Sequence, residues 1–271
     1  MIFVVNLIYG DFMEKHVFKK KYGQNFLSDK SIIKDITSSI NPKEDDLIIE
    51  IGPGSGALTK NLVKYNSNLI CYEVDTDLEN TLNHIKNDKT QIIFDDFLKR
   101  DINKDIEKID YKDLYIIGNL PYYITTPIIL SIIESKINVK EMVFMVQKEF
   151  AERFSSNPGS KEYGSISVLL NYYFDIKKLF NVSRNKFYPI PNVDSSVIKL
   201  IKKENILKVD FDKFNKLVRD SFQFKRKNIR NNLKKYDLEK IDSILKNHGF
   251  SINNRAEELS YDIFVELANN I

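Results

Sequence analysis

Five short apolar runs alternate with helix-like segments over residues 46–146, and this alternation limits the possible folds more than any other feature. The runs are DLIIEI (46–51), NLICYEV (68–74), QIIF (91–94), LYIIG (114–118) and MVFMV (142–146). Near-continuous apolarity in short runs is typical of parallel strands that are covered on both faces. The segments between them have helical length and spacing. The pattern therefore predicts an α/β fold, with a doubly wound, Rossmann-like sheet and right-handed crossovers.

The pattern changes towards the C-terminus. Two later runs, FDIKKLFNV and DSSVIKLIK, predict a further pair of strands, as an antiparallel hairpin at an edge of the sheet. After about Lys203, apolar residues recur at spacings of three and four, as in Phe211, Phe214 and Val218, so helix replaces strand. We predict an N-terminal tail (1–18), a Rossmann-like domain (19–204) and a small all-helical domain (205–271).

Composition and the cysteine count restrict the location of the chain. At 271 residues it can bury one large core plus a small one. Cys71 is the only cysteine, which excludes an internal disulfide and predicts a reducing, cytoplasmic location. No apolar run approaches the roughly 20 residues of a membrane span. The apolar first twelve residues lack the features of a signal peptide, and we interpret them as an extra tail, with Met13 as a candidate start.

Basic residues are concentrated in one stretch. The chain carries a net charge of +3, yet residues 216–235 hold eight basic side chains against the single acid Asp220. They are Lys216, Arg219, Lys225, Arg226, Lys227, Arg230, Lys234 and Lys235. A second cluster is Lys19-Lys20-Lys21. One such cluster is usually a solvated helix face, but two in one chain favour a polyanionic partner, because phosphate contacts draw on clustered lysine and arginine.

A glycine-rich loop follows the first predicted strand. In EIGPGSGALT, Gly52, Gly54 and Gly56 allow a tight turn and the close approach of a ligand. A G-x-G-x-G sequence is weak evidence by itself, since many strand–helix turns carry glycine for packing. Glu73, at the end of the next predicted strand, stands where an acid binds ribose hydroxyls in nucleotide-binding folds. Together these features predict a nucleotide-like cofactor.

The residues around the loop favour S-adenosylmethionine as that cofactor. Glu50 directly precedes the loop, and its carboxylate would repel a pyrophosphate but attract a cationic sulfonium. The loop also lacks the lysine of a phosphate-binding P-loop. Asp95 and Asp96 follow the third strand, and either could accept a hydrogen bond from the cofactor's adenine amino group. The histidines have no metal-ligand spacing, so no metal site is predicted.

The stretch GNLPYY ends the fourth predicted strand, at the same edge of the sheet as the cofactor loop. The side-chain oxygen of Asn119 and the carbonyl of Leu120 could accept the two N–H bonds of an adenine amino group and aim its lone pair at a methyl donor. Pro121 fixes the turn, and Tyr122 offers a face on which the base can stack. Such catalysis relies on positioning and electrostatics.

Seven motifs in order over residues 19–233 resemble the ribosomal RNA adenine N6,N6-dimethyltransferase family, and within it the small-subunit branch associated with kasugamycin sensitivity. They are KKKYGQNFLSD, EIGPGSGALT, GNLPYYITTPII, QKEFAERF, YGSISVL, FYPIPNVDSSV and FKRKNIRNNL. The resemblance continues through NNRAEELSYDIFVEL near the C-terminus. It implies dimethylation of two adjacent adenosines in the 3′-terminal hairpin of 16S rRNA, within an immature small subunit, by a monomeric enzyme that uses S-adenosylmethionine.

The resemblance also implies roles for individual residues. Asn25 and Leu27 match an N-terminal lid over the methyl donor, and Asp96, rather than Asp95, matches the adenine contact. Gly52, Gly54, Glu73 and Asn119 match the remaining cofactor positions. Phe187 matches an aromatic residue that closes on a flipped target base. The helical C-terminal domain, with Lys225, Arg226, Lys227 and Arg230, is expected to hold RNA backbone rather than to read sequence.

Three other functions stay open. They are a methyltransferase of 23S rRNA that confers macrolide resistance, a small-subunit assembly factor for which methylation is secondary and, more distantly, a DNA adenine methyltransferase, although the sequence shows no separate sequence-reading module.

Three aromatic residues near these motifs are interpreted as packing residues. Phe222 and Phe224 could stack on bases, but base rates of aromatic burial favour packing in the helical core. Tyr123 is likewise interpreted as a packing residue.

Overall fold

The computed structural model describes residues 4–9, 12–17 and 24–271, and its elements are numbered here in chain order. The strands are β1 Val4–Tyr9, β2 Phe12–Val17, β3 Phe26–Leu27, β4 Leu47–Ile51, β5 Asn68–Glu73, β6 Thr90–Phe94, β7 Leu114–Asn119, β8 Glu141–Gln147, β9 Phe174–Val182, β10 Phe187–Tyr188 and β11 Ser195–Lys202. The helices are α1 Lys30–Thr37, α2 Thr59–Leu62, α3 Glu79–Asn83, α4 Ile102–Ile106, α5 Thr125–Glu134, α6 Lys148–Phe154, α7 Ser165–Tyr173, α8 Phe211–Ser221, α9 Ile229–Asn232, α10 Leu238–Asn247 and α11 Tyr261–Asn270.

Seven strands form one sheet in the order β6-β5-β4-β7-β8-β11-β9. The pairs β4–β5, β5–β6, β4–β7 and β7–β8 are all parallel, which confirms the predicted α/β fold. The two later strands, β11 and β9, are neighbours at one edge, where the sequence places them. After β6 the chain returns to the other side of β4 to form β7. The strand order therefore reverses between β4 and β7, and ligands of such sheets bind at this point, beyond the carboxyl ends of the strands.

The two central strands are almost inaccessible to solvent. Every residue of β4 is buried, as are the first five residues of β7, which explains why both read as continuous apolar runs. Gly118 is required where the two strands approach each other, because a Cβ atom at this position would lie 2.5 Å from the Ile51 carbonyl oxygen. The close approach brings the ends of β4 and β7 together.

We expect the Gly118→Ala substitution to lower the free energy of unfolding by about 1–3 kcal/mol, since the added methyl group meets backbone that cannot move aside. Urea unfolding measures this. A suitable control is Gly164→Ala, where extended backbone and open space surround the added methyl group. The free energy of unfolding of the control variant should fall by less than about 1 kcal/mol, because the substitution replaces only a favourable N-cap residue. Equal losses in the two variants would contradict the close contact at Gly118.

The chain divides into two compact units. Unit 1 comprises Met1–Lys148 and Lys178–Leu200, and unit 2 comprises Glu149–Lys177 and Ile201–Ile271. The segment Glu149–Lys177 thus groups with the C-terminal helices, although the predicted division assigns it to the first domain. Helix α8 confirms the predicted change to helix: Phe214 and Val218 are fully buried, and the side chain of Asp210 caps its first turn.

The N-terminal segment contains a hairpin. Strands β1 and β2 pair antiparallel, with Val4 opposite Val17 and Tyr9 opposite Phe12, where the sequence predicts only a tail. The predicted basic cluster Lys19-Lys20-Lys21 lies outside the described residues. Within the described ranges, no helix has the length and apolarity needed to span a membrane.

Candidate active site

A cavity of about 300 Å³ lies in unit 1 at the carboxyl ends of β4, β5 and β7. Its volume is within the range of small-molecule sites. Ten residues that the sequence predicts for the cofactor or the target base line it: Asn25, Leu27, Gly52, Gly54, Glu73, Asp96, Asn119, Leu120, Pro121 and Tyr122. Residues separated by nearly a hundred positions in the sequence therefore surround one space.

The glycine loop is attached to the end of β5 through Glu73. Its Oε2 atom accepts a hydrogen bond from the Gly54 backbone N–H at 2.9 Å, and its Oε1 atom accepts one from the Asp75 N–H at 2.8 Å. Gly54 has a φ of +56°, and a Cβ atom there would lie 2.7 Å from the Phe26 ring. Burial raises the pKa of Glu73. The carboxylate thus holds the loop against the strand, while its remaining lone pairs are available at the cavity wall.

Glu50 forms a buried acidic part of the wall. It is 1% exposed, and its Oε2 atom accepts hydrogen bonds from Thr59 Oγ1 at 2.7 Å and Cys71 Sγ at 3.6 Å. Its Oε1 atom has no hydrogen-bond partner among the residues that the structure describes. Burial raises the pKa of Glu50 to about 7. A buried carboxylate with an unsatisfied oxygen favours a cationic ligand, because a positive charge offsets the lost hydration.

Asp95 and Asp96 both line the cavity, but their hydrogen bonds differ. Asp95 accepts a hydrogen bond from the Asp96 N–H at 2.8 Å, and its Oδ2 atom lies 3.5 Å from a guanidinium nitrogen of Arg100. Asp96 caps the next turn through Oδ1, which accepts from the Leu98 N–H at 3.1 Å. No described residue donates to Asp96 Oδ2. This oxygen is therefore the one better placed to accept a hydrogen bond from a ligand.

Asn119 ends β7 and has a fixed orientation. Its side-chain NH₂ group donates to the backbone carbonyl of Asn25 at 3.0 Å. Among the described residues nothing donates to its carbonyl oxygen, Oδ1. The next residue, Leu120, is 1% exposed and donates its N–H to the Met145 carbonyl at 3.2 Å. The amide of Asn119 is thus held at the cavity with its acceptor oxygen available.

Tyr122 is anchored through its hydroxyl group. The Oη atom lies 2.8 Å from the Oγ atom of Ser195 at the start of β11, and Ser195 is completely buried. Burial raises the pKa of Tyr122, so the phenol is neutral at physiological pH. The Pro121 carbonyl accepts hydrogen bonds from the Ile124 N–H and from Thr125 Oγ1, which secures the turn. Sequence reasoning missed Ser195, because the separation of 73 residues hides this contact.

Phe187 is the one predicted catalytic residue that does not line the cavity. It is 3% exposed and belongs to a buried hydrophobic cluster that also contains Leu27. It lies opposite Leu27 in the short antiparallel pair formed by β3 and β10. Lys186 reinforces this pair, with Nζ 2.7 Å from Asp29 Oδ2. The predicted lid and the FYPIP segment are therefore joined by backbone and side-chain contacts.

The predicted RNA-binding residues lie in unit 2. Lys225, Arg226 and Lys227 are exposed in the turn between α8 and α9, and Arg230 is exposed on α9. The Nζ atom of Lys225 donates to the Lys161 carbonyl at 2.8 Å. Neither Arg226 nor Lys227 has an ion-pair partner within the described part of the chain. Their charges are therefore available to an external ligand.

Several lining residues escape sequence reasoning. Val74 and Leu98 are 40% and 37% exposed, and they flank the cavity next to Glu73 and Asp96. Tyr123 is 61% exposed and lines the same cavity, so its interpretation as a packing residue is wrong. Val74, Leu98 and Tyr123 each lie within four residues of the carboxyl end of a strand, β5, β6 and β7 respectively. Their position just after a strand is the signal in the sequence that could have identified them. In the described residues no cluster of histidine, cysteine and acidic side chains could hold a metal ion.

Comparisons with known proteins identify the family of this chain. The family model described as ribosomal RNA adenine dimethylase matches residues 15–271. A protein named ribosomal RNA small subunit methyltransferase A from Aster yellows witches'-broom phytoplasma is 40% identical, over 93% of this chain and 95% of its own. A protein of the same name from Mycoplasma mobile is 41% identical, over 92% of this chain and 96% of its own. Another, from Oceanobacillus iheyensis, is 38% identical, over 93% of this chain and 90% of its own.

Two solved structures resemble the chain along most of its length. A dimethyladenosine transferase from Plasmodium falciparum has a TM-score of 0.75 at 26% identity, covering 89% of this chain and 95% of that one. The 23S rRNA methyltransferase ErmE has a TM-score of 0.70 at 22% identity, covering 91% of this chain and 99% of that one. Because the identity is this low, the likeness to ErmE shows a shared fold alone. With its methyltransferase fold and its family match over nearly the whole sequence, the chain belongs to the ribosomal RNA adenine dimethylase family of S-adenosylmethionine-dependent methyltransferases.

Proposed function

We propose that this protein adds two methyl groups to N6 of each of two adjacent adenosines in the 3′-terminal hairpin of 16S rRNA. It would act as a cytoplasmic monomer on immature small ribosomal subunits. The observation that carries the proposal is the Asn119 amide, whose NH₂ group is held by the Asn25 carbonyl and whose oxygen is left available at the cavity. The names of the relatives at 38–41% identity support the small subunit as the substrate.

The cavity residues fit S-adenosylmethionine. Glu73 would bind the ribose hydroxyl groups, and Asp96 Oδ2 would accept a hydrogen bond from the adenine amino group of the cofactor. Val74 and Leu98 offer apolar surface for the adenine ring. The unsatisfied Oε1 of Glu50 suits the cationic part of the molecule. When bound, S-adenosylmethionine supplies an electrophilic methyl group.

The remaining cavity residues would also help to hold the cofactor. Gly52 and Gly54 allow its close approach to the backbone. Asn25 and Leu27, on the segment that the Asp29–Lys186 contact secures, would cover it.

The residues of the NLPY turn would activate the target by position. The adenine amino group is a poor nucleophile because its lone pair is delocalised into the ring. Asn119 Oδ1 and the Leu120 carbonyl would each accept one of its N–H bonds, which favours tetrahedral nitrogen and directs the lone pair into the cavity. Pro121 holds these two acceptors in one turn. The two acceptors would stabilise the positive charge that develops on nitrogen, and preorganised groups of this kind dominate many enzyme rate enhancements.

Aromatic residues would hold the target base after it leaves its stack. Tyr122, anchored to Ser195, would supply one face. Phe187 would close on the base, which requires its buried ring to reach the edge of the cavity.

We expect Ser195→Ala to lower the rate of methyl transfer by roughly 2- to 10-fold, the range that corresponds to one hydrogen bond. The hydroxyl of Tyr122 would lose its partner and the ring its fixed position. The measurement is kcat and KM with small subunits. The matched control is Ser196→Ala, since Ser196 is equally buried and donates to Asn181 Oδ1 at 2.8 Å.

The role of Ser195 depends on the Tyr122 hydroxyl, so Tyr122→Phe should cause a similar loss. The double variant should be no worse than either single variant, because both substitutions remove the same hydrogen bond. Additive losses, or equal effects of Ser195→Ala and Ser196→Ala, would contradict a positioning role for Ser195.

Residues 205–271 would supply the RNA-binding domain. Lys225, Arg226, Lys227 and Arg230 are exposed cations on one turn and the helix that follows it, a suitable surface for phosphate groups. Contacts of this kind position an RNA without reading its sequence. Affinity for small subunits should then fall steeply as the salt concentration rises.

The first experiment is methyl transfer from labelled S-adenosylmethionine to small subunits from an unmethylated strain, beside large subunits and naked rRNA. Mass analysis of the nucleosides should find dimethyladenosine on small subunits alone. Label on large-subunit RNA would instead support the alternative 23S activity. No transfer from a protein that binds both cofactor and subunits would favour the assembly-factor alternative. A Glu73→Ala protein that still binds subunits and slows growth would support that alternative further.

A further inference from the structure

Phe224 is an exposed aromatic residue within the most basic segment of the chain. Its side chain is 57% exposed, whereas its neighbour Phe222 packs against the rings of Tyr163 and Phe264 at centroid distances of 6.3 and 6.0 Å. The expectation that both residues belong to the helical core is therefore correct for Phe222 and wrong for Phe224. A single exposed apolar side chain is common on protein surfaces and does not by itself indicate a function. The residues around Phe224 therefore have to show whether it has a binding role.

The backbone around Phe224 is locked by one buried amide. Asn232, 9% exposed, accepts a hydrogen bond from the Phe224 N–H at 3.1 Å and donates to the Phe224 carbonyl at 3.3 Å. It also donates to the Ser221 carbonyl at 2.7 Å, while the Lys227 N–H donates to the Phe224 carbonyl at 2.8 Å. These hydrogen bonds fix the backbone of the turn that carries the exposed ring.

Cations lie next to Phe224 on its C-terminal side. Lys225, Arg226 and Lys227 follow it directly, all exposed, and Arg226 and Lys227 have no acidic partner among the residues described. Positive charges attract the phosphate backbone of a nucleic acid, and an exposed ring beside them offers a surface for a base. The carboxylates of an acidic peptide could pair with the cations, but they would make no stacking contact with the ring.

We propose that Phe224 is a stacking platform for an unpaired RNA base, next to cations that bind the flanking phosphate groups. The inference rests on the proposed function, because it refines how the basic turn binds rRNA. It adds that this turn contacts single-stranded or looped RNA rather than the backbone of a duplex alone. Stacking tolerates any base, so the turn would select unpaired structure without selecting sequence.

The absence of tryptophan from the chain permits a direct test. In the full-length Phe224→Trp variant, the indole is the only tryptophan. Titration with single-stranded oligouridylate should quench its fluorescence, whereas an abasic oligomer of equal length should not. Uridylate is chosen because the cavity of unit 1 is proposed to take adenine. The control is Leu207→Trp, an equally apolar position that is 49% exposed and lies outside the basic segment; its fluorescence should stay unchanged.

Affinity measurements separate stacking from charge. Phe224→Leu keeps an apolar side chain but removes the ring face, and it should weaken oligouridylate binding by about 5- to 150-fold, the factor that corresponds to one stacked base. The slope of log affinity against log salt concentration should not change. Lys227→Ala should instead reduce that slope by about 0.7, the value for one phosphate contact on a single strand.

Three results would overturn the proposal: an unquenched indole at position 224, equal quenching by the abasic oligomer, or a Phe224→Leu protein that binds as tightly as the wild type. None of these depends on methyl transfer. A protein that methylates small subunits but shows no quenching would refute stacking alone. A protein that shows quenching but transfers no methyl group would refute the proposed function alone.

Discussion

Asn119→Ala is expected to lower methyl transfer to small subunits by about 10²- to 10³-fold, the loss seen when one preorganised charge-stabilising group is removed. The side-chain oxygen is the proposed acceptor of one adenine N–H bond, and it is held in place by the 3.0 Å hydrogen bond from the side-chain NH₂ group to the Asn25 carbonyl. Alanine removes both the acceptor and the group that orients it. Single-turnover kinetics with labelled S-adenosylmethionine measures the loss.

The effect at Asn119 must be distinguished from a general loss of structure. Asn103→Ala provides a matched control, because its side-chain NH₂ group donates to the Ser135 carbonyl at the same distance of 3.0 Å but lies outside the cavity. We expect near wild-type transfer from this variant. S-adenosylmethionine binding by Asn119→Ala, measured by calorimetry, should be impaired much less than transfer. An Asn119→Ala protein that keeps more than about a tenth of the activity would contradict the proposed mechanism.

The second large effect is expected from Glu50→Gln, and it depends on pH. The pKa of Glu50 rises from 4.5 in the unfolded chain to about 7 in the folded protein, because burial disfavours the charged form. The folded state therefore binds a proton more tightly than the unfolded state. As the pH rises from 4.5 to 7, this difference destabilises the ligand-free protein by up to about 3 kcal/mol. Below pH 4.5 the Glu50 carboxyl is protonated in both the folded and the unfolded state, so this destabilisation disappears.

Glutamine has the shape of glutamate without the ionisable group. Glu50→Gln should therefore raise the free energy of unfolding of the ligand-free protein by up to about 3 kcal/mol above pH 7 and leave it unchanged below pH 4.5. Urea unfolding across this pH range measures the difference. The control is Glu44→Gln on the surface, where a change of less than about 0.5 kcal/mol is expected. A pH-independent difference would contradict the raised pKa.

The same variant tests the proposed attraction between Glu50 and a cationic ligand. Loss of the charge should weaken S-adenosylmethionine binding by about 10- to 100-fold above pH 7, the range for a hydrogen bond to a charged group. Calorimetry at pH 8 measures this affinity. The protein would then be more stable and less able to bind its cofactor, a trade-off that is common where active sites keep buried charges. Unchanged affinity would show that the unsatisfied oxygen faces no charged part of the ligand.

Much of this architecture could be predicted from local patterns. The five strand sequences, the glycine loop and the helical C-terminus depend on periodicity and on neighbouring residues, which a sequence displays directly. Positions such as Glu73 and Asn119 follow from the rule that the carboxyl ends of parallel strands meet at one edge. The family resemblance then separates Asp96 from Asp95. The structure adds a physical reason, since Asp95 is engaged with Arg100.

Other features depend on contacts between distant segments. The Tyr122–Ser195 hydrogen bond, the pairing of Leu27 with Phe187, and the grouping of Glu149–Lys177 with the C-terminal helices all join residues that the sequence separates widely. The same is true of exposure. Phe222 and Phe224 are two positions apart and equally apolar, yet Phe222 packs against the rings of Tyr163 and Phe264, whereas the Phe224 ring is exposed to solvent.

The sequence by itself determined the fold class, the strand ends that carry the candidate site, and the chemistry to be expected there. These follow from patterns of apolar residues and from residue types at fixed local spacings. Only the tertiary structure decided which oxygens are already engaged, as at Asp95, and which are left for a ligand, as at Glu50, Asp96 and Asn119. The physical reason is that hydrogen bonding and burial depend on all the groups that surround an atom. Chain folding, rather than local sequence, brings those groups together.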